Sequence, residues 1–287
     1  MTKFLLKFYC LFFFLFFFQI TLGFQKKELL NPKSIKVLTW NIQDLGGTKN
    51  DEEILFIAKI LKDYDLIALQ EIVAKDPAGA KAVARIADAL NRLGSKWDYS
   101  ISNPTKSSSS YASERYAFLW KTSKMRLNQQ AFLDTKLQHK IEREPYIGLF
   151  EYKKNKTSFY VVNMHARTYN KHPEMEISNF KFYPKRFGTD AFIFLGDFNL
   201  NEKHTVWNPL YKKGFTSALK NTPTTLKRKC KNGVYMNYPI DNIYFNTNYF
   251  TQINSFAIDF VKDCKNLSNA RKISDHLPVV SELSFIH

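Results

Sequence analysis

Acidic residues are scarce in this sequence. Its 287 residues include 26 Asp and Glu against 42 Lys and Arg, and the formal net charge at pH 7 is +16. An excess of positive charge favours a polyanionic partner, such as nucleic acid or an anionic membrane surface. Basic surfaces also occur in proteins that bind neither, so charge alone does not define a function.

Cysteine is scarce as well, with three residues in the chain. Cys10 lies in an apolar segment near the N-terminus, which leaves Cys230 and Cys264. In an oxidising compartment these two can form a disulfide, and closing a loop of that length would stabilise the fold by roughly 3–4 kcal/mol. Two unpaired buried thiols are the alternative, and the sequence leaves both open.

The N-terminal apolar run is too short to cross a bilayer as a helix. It covers residues 8–18, which is 11 residues, whereas a transmembrane helix needs about 20. Lys3 and Lys7 precede it and Gly23 follows it, an arrangement typical of a secretory signal peptide. We therefore expect a signal peptide at 1–23, a single domain at 24–287 and a secreted protein, extracellular or periplasmic. A retained membrane anchor is the alternative.

A Gly-rich phosphate loop, a zincin helix and a Gly-x-Ser-x-Gly elbow are all absent from the sequence, so none of these motifs competes for the function. The chain instead alternates strand-like and helix-like segments without an internal repeat or a linker. We predict helices at 51–62 and 77–93, and strands at 35–42, 65–71, 115–121, 146–152, 158–165, 191–195, 239–245 and 277–283. Several of these strands are apolar throughout, as strands buried on both faces are. The pattern favours one α/β domain in which two stacked sheets are flanked by helices.

Polar side chains cluster where the predicted strands leave the core. They are Asn41, Glu71, His165, Asp197, Asn199, Asp241, Asp275 and His276. Any one of them alone is more often a satisfied turn or a strand-end hydrogen bond. Six such strand ends in one domain favour a functional site, because a rigid sheet positions ligand and catalytic groups.

The residue types in this set indicate metal-assisted hydrolysis. Oxygen ligands with few histidines and no cysteine suit Mg²⁺ or Mn²⁺, and also Ca²⁺, better than Zn²⁺. Such an ion polarises a phosphoryl oxygen and screens the charge that develops on it. Two histidines, each with a carboxylate partner, provide a general acid and a general base. The sequence therefore predicts a divalent-metal-dependent phosphodiester hydrolase.

These residues also lie in recognisable motifs. The sequence resembles the endonuclease/exonuclease/phosphatase superfamily and is most similar within it to the deoxyribonuclease I group. The matching segments cover residues 35–285 in the family's order: Thr-Trp-Asn-Ile-Gln (39–43), Ala-Leu-Gln-Glu (68–71), Ser-Glu-Arg-Tyr-Ala-Phe-Leu-Trp (113–120), Arg-Glu-Pro (143–145), Asn-Met-His-Ala (163–166), Gly-Asp-Phe-Asn (196–199), Tyr-Pro-Ile-Asp-Asn-Ile (238–243) and Ser-Asp-His-Leu-Pro-Val (274–279). The resemblance implies a four-layer α/β-sandwich with the site at one edge of the two sheets.

The resemblance also implies a role for each residue of the site. The residues that hold the metal or lie close to it would be Asn41, Glu71 and Asp275. The residues that orient the scissile phosphate and the attacking water would be Asp197 and Asn199. The acid–base pair would be His165, oriented by Glu114, and His276, oriented by Asp241. Arg143 would contact a phosphate through its bidentate fork. Which histidine donates a proton stays open.

We expect DNA, preferably double-stranded, as the substrate and a monomer without an obligate protein partner. The 113–116 and 143–145 segments resemble the deoxyribonuclease I pattern, and the basic charge suits a duplex backbone. Candidate contacts are Tyr111 and two basic clusters, the first of Lys181, Lys185 and Arg186 and the second of Lys227, Arg228, Lys229 and Lys231. The alternative for the basic residues is a solvated surface.

Two rival functions remain open. A secreted sphingomyelinase would carry an exposed aromatic hairpin for the bilayer. The pairs at 244–245 and 249–250 fit that description, although 246–248 has the composition of an ordinary hairpin turn. The second rival is a catalytically silent binding module, against which the presence of Glu71 and both histidines argues.

Overall fold

A computed structural model describes residues 34–109 and 111–286. The predicted signal peptide at 1–23 lies outside the described residues. The strands are β1 (Ser34–Leu45), β2 (Leu66–Val73), β3 (Trp97–Ile101), β4 (Glu114–Lys121), β5 (Met125–Leu127), β6 (Phe132–Leu133), β7 (Tyr146–Tyr152), β8 (Thr157–His165), β9 (Phe192–Asp197), β10 (Phe215–Ser217), β11 (Leu226–Lys231), β12 (Val234–Met236), β13 (Asp241–Asn246), β14 (Phe250–Ala257) and β15 (Val279–Phe285). The helices are α1 (Asp51–Leu61), α2 (Ala78–Arg92), α3 (Pro173–Ile177), α4 (Tyr183–Phe187), α5 (Asn208–Tyr211) and α6 (Leu267–Ile273), with short 3₁₀ turns between them. In this described part, no helix is long and apolar enough to span a membrane.

Two large sheets organise the fold. The first has the strand order β14-β15-β1-β2-β4-β3, and the second has the order β10-β13-β9-β8-β7-β5 with β6 also paired to β7. Most neighbours are antiparallel, but β1 and β2 run parallel in the first sheet, and β8 and β9 run parallel in the second. Each sheet therefore has one pair of strands whose carboxyl ends leave the core at the same edge. A separate two-stranded hairpin is formed by β11 and β12.

Apolar side chains fill three interfaces between layers. Phe118, Phe150 and Leu195 lie in the core between the two sheets. Ile57 and Ile86 belong to the core in which α1 and α2 cover the outer face of the first sheet. Short helices cover the outer face of the second sheet through a cluster rich in aromatic residues. The predicted α/β fold, a four-layer sandwich with two stacked sheets flanked by helices, is confirmed.

The two predicted helices form where their sequence features indicate. In α1 the side chain of Asn50 accepts a hydrogen bond from Glu53 N, and the Glu53 side chain accepts one from Asn50 N. This capping box satisfies two backbone donors at the start of the helix. In α2 the buried residues recur at helical spacing along one face, for example Val83, Ile86 and Leu90.

The predicted strands all form, with boundaries that shift by up to a few residues. The strand expected at 239–245 begins later, at Asp241, because Pro239 has no N–H and Ile240 N donates to Thr224 Oγ1 instead of to a ladder partner. The pattern misses the other strands, among them β3 and β14, which are the edge strands of the first sheet and have largely exposed residues. Such strands lack the apolar alternation on which the prediction depends.

The turn expected at 246–248 does not close a hairpin. β13 pairs with β9 and β10 in the second sheet, whereas β14 pairs with β15 in the first. The segment therefore crosses from one sheet to the other. Tyr244, Phe245 and Phe250 are buried in the core, so these aromatic pairs do not form the exposed hairpin that a bilayer-binding enzyme would need.

Cys230 and Cys264 form a disulfide, with Cα atoms 5.7 Å apart. The bridge joins β11 to the 3₁₀ turn that precedes α6. Of the two alternatives that the sequence left open, the disulfide is the one present in the structure.

Candidate active site

The site lies where the two parallel strand pairs end. Asn41 and Glu71 lie on β1 and β2 of the first sheet, and His165 and Asp197 end β8 and β9 of the second, paired with each other in register. Gly196 makes the close approach of β9 to β8 possible. Its φ is +137°, and a Cβ atom built there would lie 1.9 Å from Met164 O. Only glycine fits, because any side chain would collide with the neighbouring backbone.

Glu71 and Asn199 have left-handed backbone conformations, with φ of 56° and 52°. Such values are uncommon for residues other than glycine and cost free energy that the surrounding structure must offset. At Asn199 the backbone N–H donates to Asp197 Oδ1 at 2.9 Å, and the side-chain Nδ2 donates to Ala166 O at 3.1 Å. These two bonds hold Asn199 beside the carboxylate of Asp197.

His165 is buried and paired with a carboxylate. Its Nδ1 lies 2.8 Å from Glu114 Oε2, and its backbone N–H donates to the hydroxyl of Tyr116 at 3.1 Å. Burial alone would lower the pKa of this imidazole, but the charge and hydrogen bond of Glu114, together with the charge of Asp197, raise it above the ordinary value. The Glu114 contact leaves Nε2 as the ring nitrogen that faces the rest of the site.

His276 has the same arrangement with a different carboxylate. Its Nδ1 lies 2.9 Å from Asp241 Oδ2, and the Thr224 hydroxyl donates to the same oxygen at 2.6 Å. Burial raises the pKa of Asp241. Burial would lower the pKa of His276, but its attraction to Asp241 and then to Asp197 prevails and raises that pKa to about 10.

Asp197 lies between the two imidazoles. Its Oδ2 atom is 3.5 Å from Nε2 of His165 and 3.8 Å from Nε2 of His276. The same oxygen accepts a hydrogen bond from Asn41 Nδ2 at 3.2 Å. The site thus converges on one buried carboxylate with a proton-transfer group on each side.

Two separate groups of side chains offer donors to a metal. The set expected from the sequence is Asn41, Glu71 and Asp275. A second group consists of Asp197, Asp241 and His276. Their ligand atoms all lie within 4.8 Å of one another, which is close enough for one ion to bind all three. In the second group Asp241 and His276 already bond to each other, so a metal there would compete with that pair.

Within the first set, the amide nitrogen of Asn41 also donates to Glu71 Oε1 at 2.9 Å, and its Oδ1 accepts from Gln43 N at 3.2 Å. Asn41 therefore links two carboxylates, those of Glu71 and Asp197, through its amide nitrogen. Burial raises the pKa of Glu71, and His165 counteracts this only in part. A cation beside Glu71 would stabilise its charged form. Asp275 has one oxygen 3.9 Å from His276 Nε2 and the other 3.5 Å from Arg271.

Backbone carbonyls occupy one edge of the Arg143 guanidinium. Its Nε donates to His165 O at 3.1 Å and one terminal nitrogen donates to Ala166 O at 2.8 Å, while Nε is 3.7 Å from Glu114. A bidentate phosphate contact through this edge of the guanidinium would require both carbonyl bonds to break. The structure instead has Arg143 fastening the end of β8, next to His165.

The remaining candidates for substrate contact differ in their surroundings. The side chain of Tyr111 is fully exposed in the loop before β4, so it is not a core aromatic. Arg186 binds both oxygens of Asp134 and lies 4.9 Å from the ring centroid of Phe187. The second basic cluster lies on β11, where Leu226 N donates to Asp275 O at 2.7 Å.

Three supporting residues have no recognisable signal in the sequence. Thr224 fixes Asp241 but lies 17 positions away from it. The hydroxyl of Ser274 donates to Asn41 O at 2.6 Å and accepts from His276 N at 2.9 Å. Buried Lys49 donates to Lys272 O and Ile273 O at the end of α6. Ser274 lies within the 274–279 motif, but nothing in the sequence indicates its role.

The fold and the convergent site define a phosphoester hydrolase, and the chain belongs to the endonuclease/exonuclease/phosphatase family, whose sequence profile matches residues 38–276. Enzymes of this family hydrolyse phosphoesters and are generally dependent on divalent metal ions.

Particular relatives differ in what they act on. A protein named deoxyribonuclease from Thioalkalivibrio sp. (strain K90mix) is 25% identical over 201 residues, which are 64% of this chain and 53% of that protein. This chain thus spans about half the length of that relative. An endonuclease/exonuclease/phosphatase family protein from Bacteroides thetaiotaomicron has a similar structure (TM-score 0.62, 18% identity, 90% of this chain and 100% of that one). So has a mannosyl-6-phosphatase from the same organism (TM-score 0.58, 15% identity, 88% and 100%). The structural similarity shows the fold alone.

Proposed function

We propose that this protein is a divalent-metal-dependent endonuclease that hydrolyses phosphodiester bonds of DNA. One observation carries the proposal: the Nε2 atoms of two carboxylate-paired histidines lie within 4 Å of the same oxygen, Oδ2 of Asp197. Hydrolysis of a diester requires removal of a proton from water and delivery of a proton to the departing oxygen. Two imidazoles on opposite sides of one group supply both transfers.

The residues divide the chemistry as follows. Glu114 and Asp241 hold Nδ1 of their histidines, so that Nε2 of each ring exchanges the proton. His276, with a pKa raised to about 10 by Asp241 and Asp197 against the effect of burial, is protonated at neutral pH and donates a proton to the departing oxygen. In its neutral form, His165 accepts the proton of the attacking water, which Asp197 and Asn199 orient.

The donor set fits a hard divalent cation. Glu71 and Asp275 offer carboxylate oxygens that are partly open to solvent, next to the buried carboxylate of Asp197. Oxygen donors in this number suit Mg²⁺ or Mn²⁺, with Ca²⁺ as a further candidate. When bound, the ion polarises a phosphoryl oxygen and screens the developing negative charge.

DNA is favoured over the rival substrates by three features. The relative from Thioalkalivibrio is named a deoxyribonuclease, and the net charge of +16 favours a polyanion. Of the aromatic residues that suggested a bilayer-binding sphingomyelinase, Tyr244, Phe245 and Phe250 are buried and Tyr249 is half-buried. The acid–base pairs are intact, which disfavours a silent binding module.

A substrate panel tests the proposal. The purified chain from residue 24 is incubated with supercoiled plasmid, sphingomyelin vesicles and a phosphomonoester, each with Mg²⁺. We expect nicking of the plasmid and little release of phosphocholine or inorganic phosphate. Preferential cleavage of sphingomyelin or of the monoester would replace the proposal, and hydrolysis of none of the three would favour the binding module.

We also infer that the protein is exported. The disulfide between Cys230 and Cys264 is typical of an oxidising compartment, in agreement with the signal peptide expected at 1–23. When the full chain is expressed in a bacterial host, the mature protein outside the cytoplasm should begin at Phe24. A cytoplasmic product that retains its N-terminus would contradict the inference.

A further inference from the structure

The β11–β12 hairpin, residues 226–236, carries a dense positive charge. It contains Lys227, Arg228, Lys229 and Lys231 and no acidic residue. Among the residues that the structure describes, none of these four side chains has an acidic partner within 4.0 Å, whereas Arg186 of the first basic cluster is bound to Asp134. Unneutralised cations on an exposed element favour an external anion as their partner.

The hairpin is attached directly to the His276 segment. Thr225 and His276 form an antiparallel bridge, Leu226 N donates to Asp275 O at 2.7 Å, and Leu277 N donates to Thr224 O at 2.6 Å. Thr224 in turn binds Asp241, the partner of His276. The base of the hairpin is therefore part of the wall of the site, and its charged strand leads away from it.

Three further connections fix the hairpin to the body of the protein. The disulfide joins Cys230 near the tip of β11 to Cys264, and Tyr235 donates its hydroxyl proton to Asp259 at 2.6 Å. Arg271 of α6 also donates to Leu226 O at 2.9 Å. A hairpin held at both its base and its tip presents its cations in a defined position, which lowers the entropic cost of binding.

The spread of the charges indicates the kind of anion. The strand runs from Thr225, which lies beside His276, to Lys231. At about 3.3 Å per residue, its length is at most about 20 Å. A single phosphate bound at Asp197 cannot reach cations along that length, but a duplex carries one charge per about 1.7 Å of its axis. The partner that fits is a polymer with repeated phosphates.

We propose that the β11–β12 hairpin is the arm that binds the DNA backbone beyond the scissile phosphate and so makes the site selective for polymeric substrates. This inference rests on the proposed function. The first basic cluster does not share the role, because it lies far from the site. Phe187 of α4 packs on Phe192 at the start of β9. Phe192 precedes Asp197 by five residues, which is about 17 Å along the strand.

The test compares Lys229→Gln/Lys231→Gln with the matched control Lys181→Gln/Lys185→Gln, which removes the same charge from the first cluster. Binding of a short fluorescent duplex is measured in chelator over a range of salt concentrations. Each lost phosphate contact lowers the slope of log affinity against log salt by about one, so we expect a reduction of about two in the hairpin variant and little change in the control. Turnover of bis(p-nitrophenyl) phosphate with Mg²⁺ should be unchanged in both.

The outcomes separate this inference from the function on which it rests. Equal salt slopes in the hairpin variant and the control would overturn the role of the hairpin even in an active nuclease. Binding of phosphatidylserine vesicles, but not of the duplex, through these lysines would overturn it in favour of a membrane. Absence of DNA cleavage by the wild-type chain would refute the proposed function while the binding slopes still test the hairpin.

Discussion

The side chain of Asp197 contacts both histidines of the site, and its charge adds to that of Glu114 beside His165 and of Asp241 beside His276. One of its oxygens faces Nε2 of His165 and of His276, and the other accepts the backbone N–H of Asn199. Buried negative charge this close favours the imidazolium form of either ring. Proton transfer at the site therefore depends on residues from three separate segments of the chain.

Removal of either imidazole tests the acid–base assignment. We expect His165→Ala and His276→Ala each to lower the rate of DNA cleavage by about 10²-fold or more, because general acid–base catalysis contributes on that order. His139→Ala, which alters an exposed histidine away from the pairs, should retain the full rate. A near-wild-type rate in one of the two site variants would remove that histidine from the mechanism.

The His276–Asp241 pair also predicts how stability depends on pH. Because the folded-state pKa of His276 is raised from 6.5 to about 10, the pair contributes its full stability below about pH 6.5 and loses it as the pH rises through about 10. Urea unfolding of the metal-free protein in chelator should show the wild type losing stability relative to Asp241→Asn over that range. A stability difference that is constant between these pH values would contradict the raised pKa.

At the scale of the elements, a buried polar contact joins the two sheets below the site. Gln70 Nε2 on β2 donates to Asn163 Oδ1 on β8 at 2.6 Å, and Asn163 Nδ2 donates to Leu69 O and Ala117 O of the first sheet. Buried polar side chains keep such hydrogen bonds, because leaving a polar group unpaired in the core costs free energy. This contact positions Glu71 and His165, which follow Gln70 and Asn163 on their strands.

Loss of the contact should destabilise the protein and misplace the site. In Asn163→Ala the amide of Gln70 and two carbonyls lose a partner, and we expect the free energy of unfolding to fall by roughly 2–3 kcal/mol. Urea denaturation measures the change, with the exposed Asn103→Ala as the control. Equal midpoints for Asn163→Ala and the wild type would show that the contact contributes nothing.

The disulfide should act on stability through the unfolded chain. It links residues 34 positions apart, and cross-linking a loop of that length stabilises by roughly 3–4 kcal/mol. We expect Cys230→Ser/Cys264→Ser to unfold at a correspondingly lower urea concentration than the oxidised wild type. Reductant should lower the urea midpoint of the wild type and leave that of the variant unchanged. If neither reductant nor the double substitution lowers the midpoint, the expectation is refuted.

The elements with strong apolar patterns were predictable from the sequence, and the others were not. The apolar spacing at 51–62 indicates α1, and the apolar segments around Trp40 and Leu195 indicate the central strands. The polar edge strand β14 has no such signal, since Thr251, Gln252 and Asn254 are exposed. Nor does local sequence reveal that 246–248 crosses between sheets, because that depends on which strands pair at a distance.

Across the whole molecule, the two-sheet architecture explains why residues from distant segments converge. Each sheet contributes one parallel pair of strands, and stacking brings the carboxyl ends of both pairs to the same edge. The motifs identified the acid–base and metal-binding candidates, but they did not indicate that Arg143 binds carbonyls of the chain or that Thr224 supports Asp241. Those contacts arise only from the folded arrangement of loops.

The central claim is metal-dependent cleavage of DNA at this site, and it is tested most directly by the conversion of supercoiled plasmid to nicked circle. We expect the mature chain to nick the plasmid with Mg²⁺ or Mn²⁺, to stop in chelator and to resume when the metal is restored. His276→Ala, prepared in the same way, should remain at least about 10²-fold slower throughout. Nicking that continues in chelator, or that is equally fast in His276→Ala, would contradict the account.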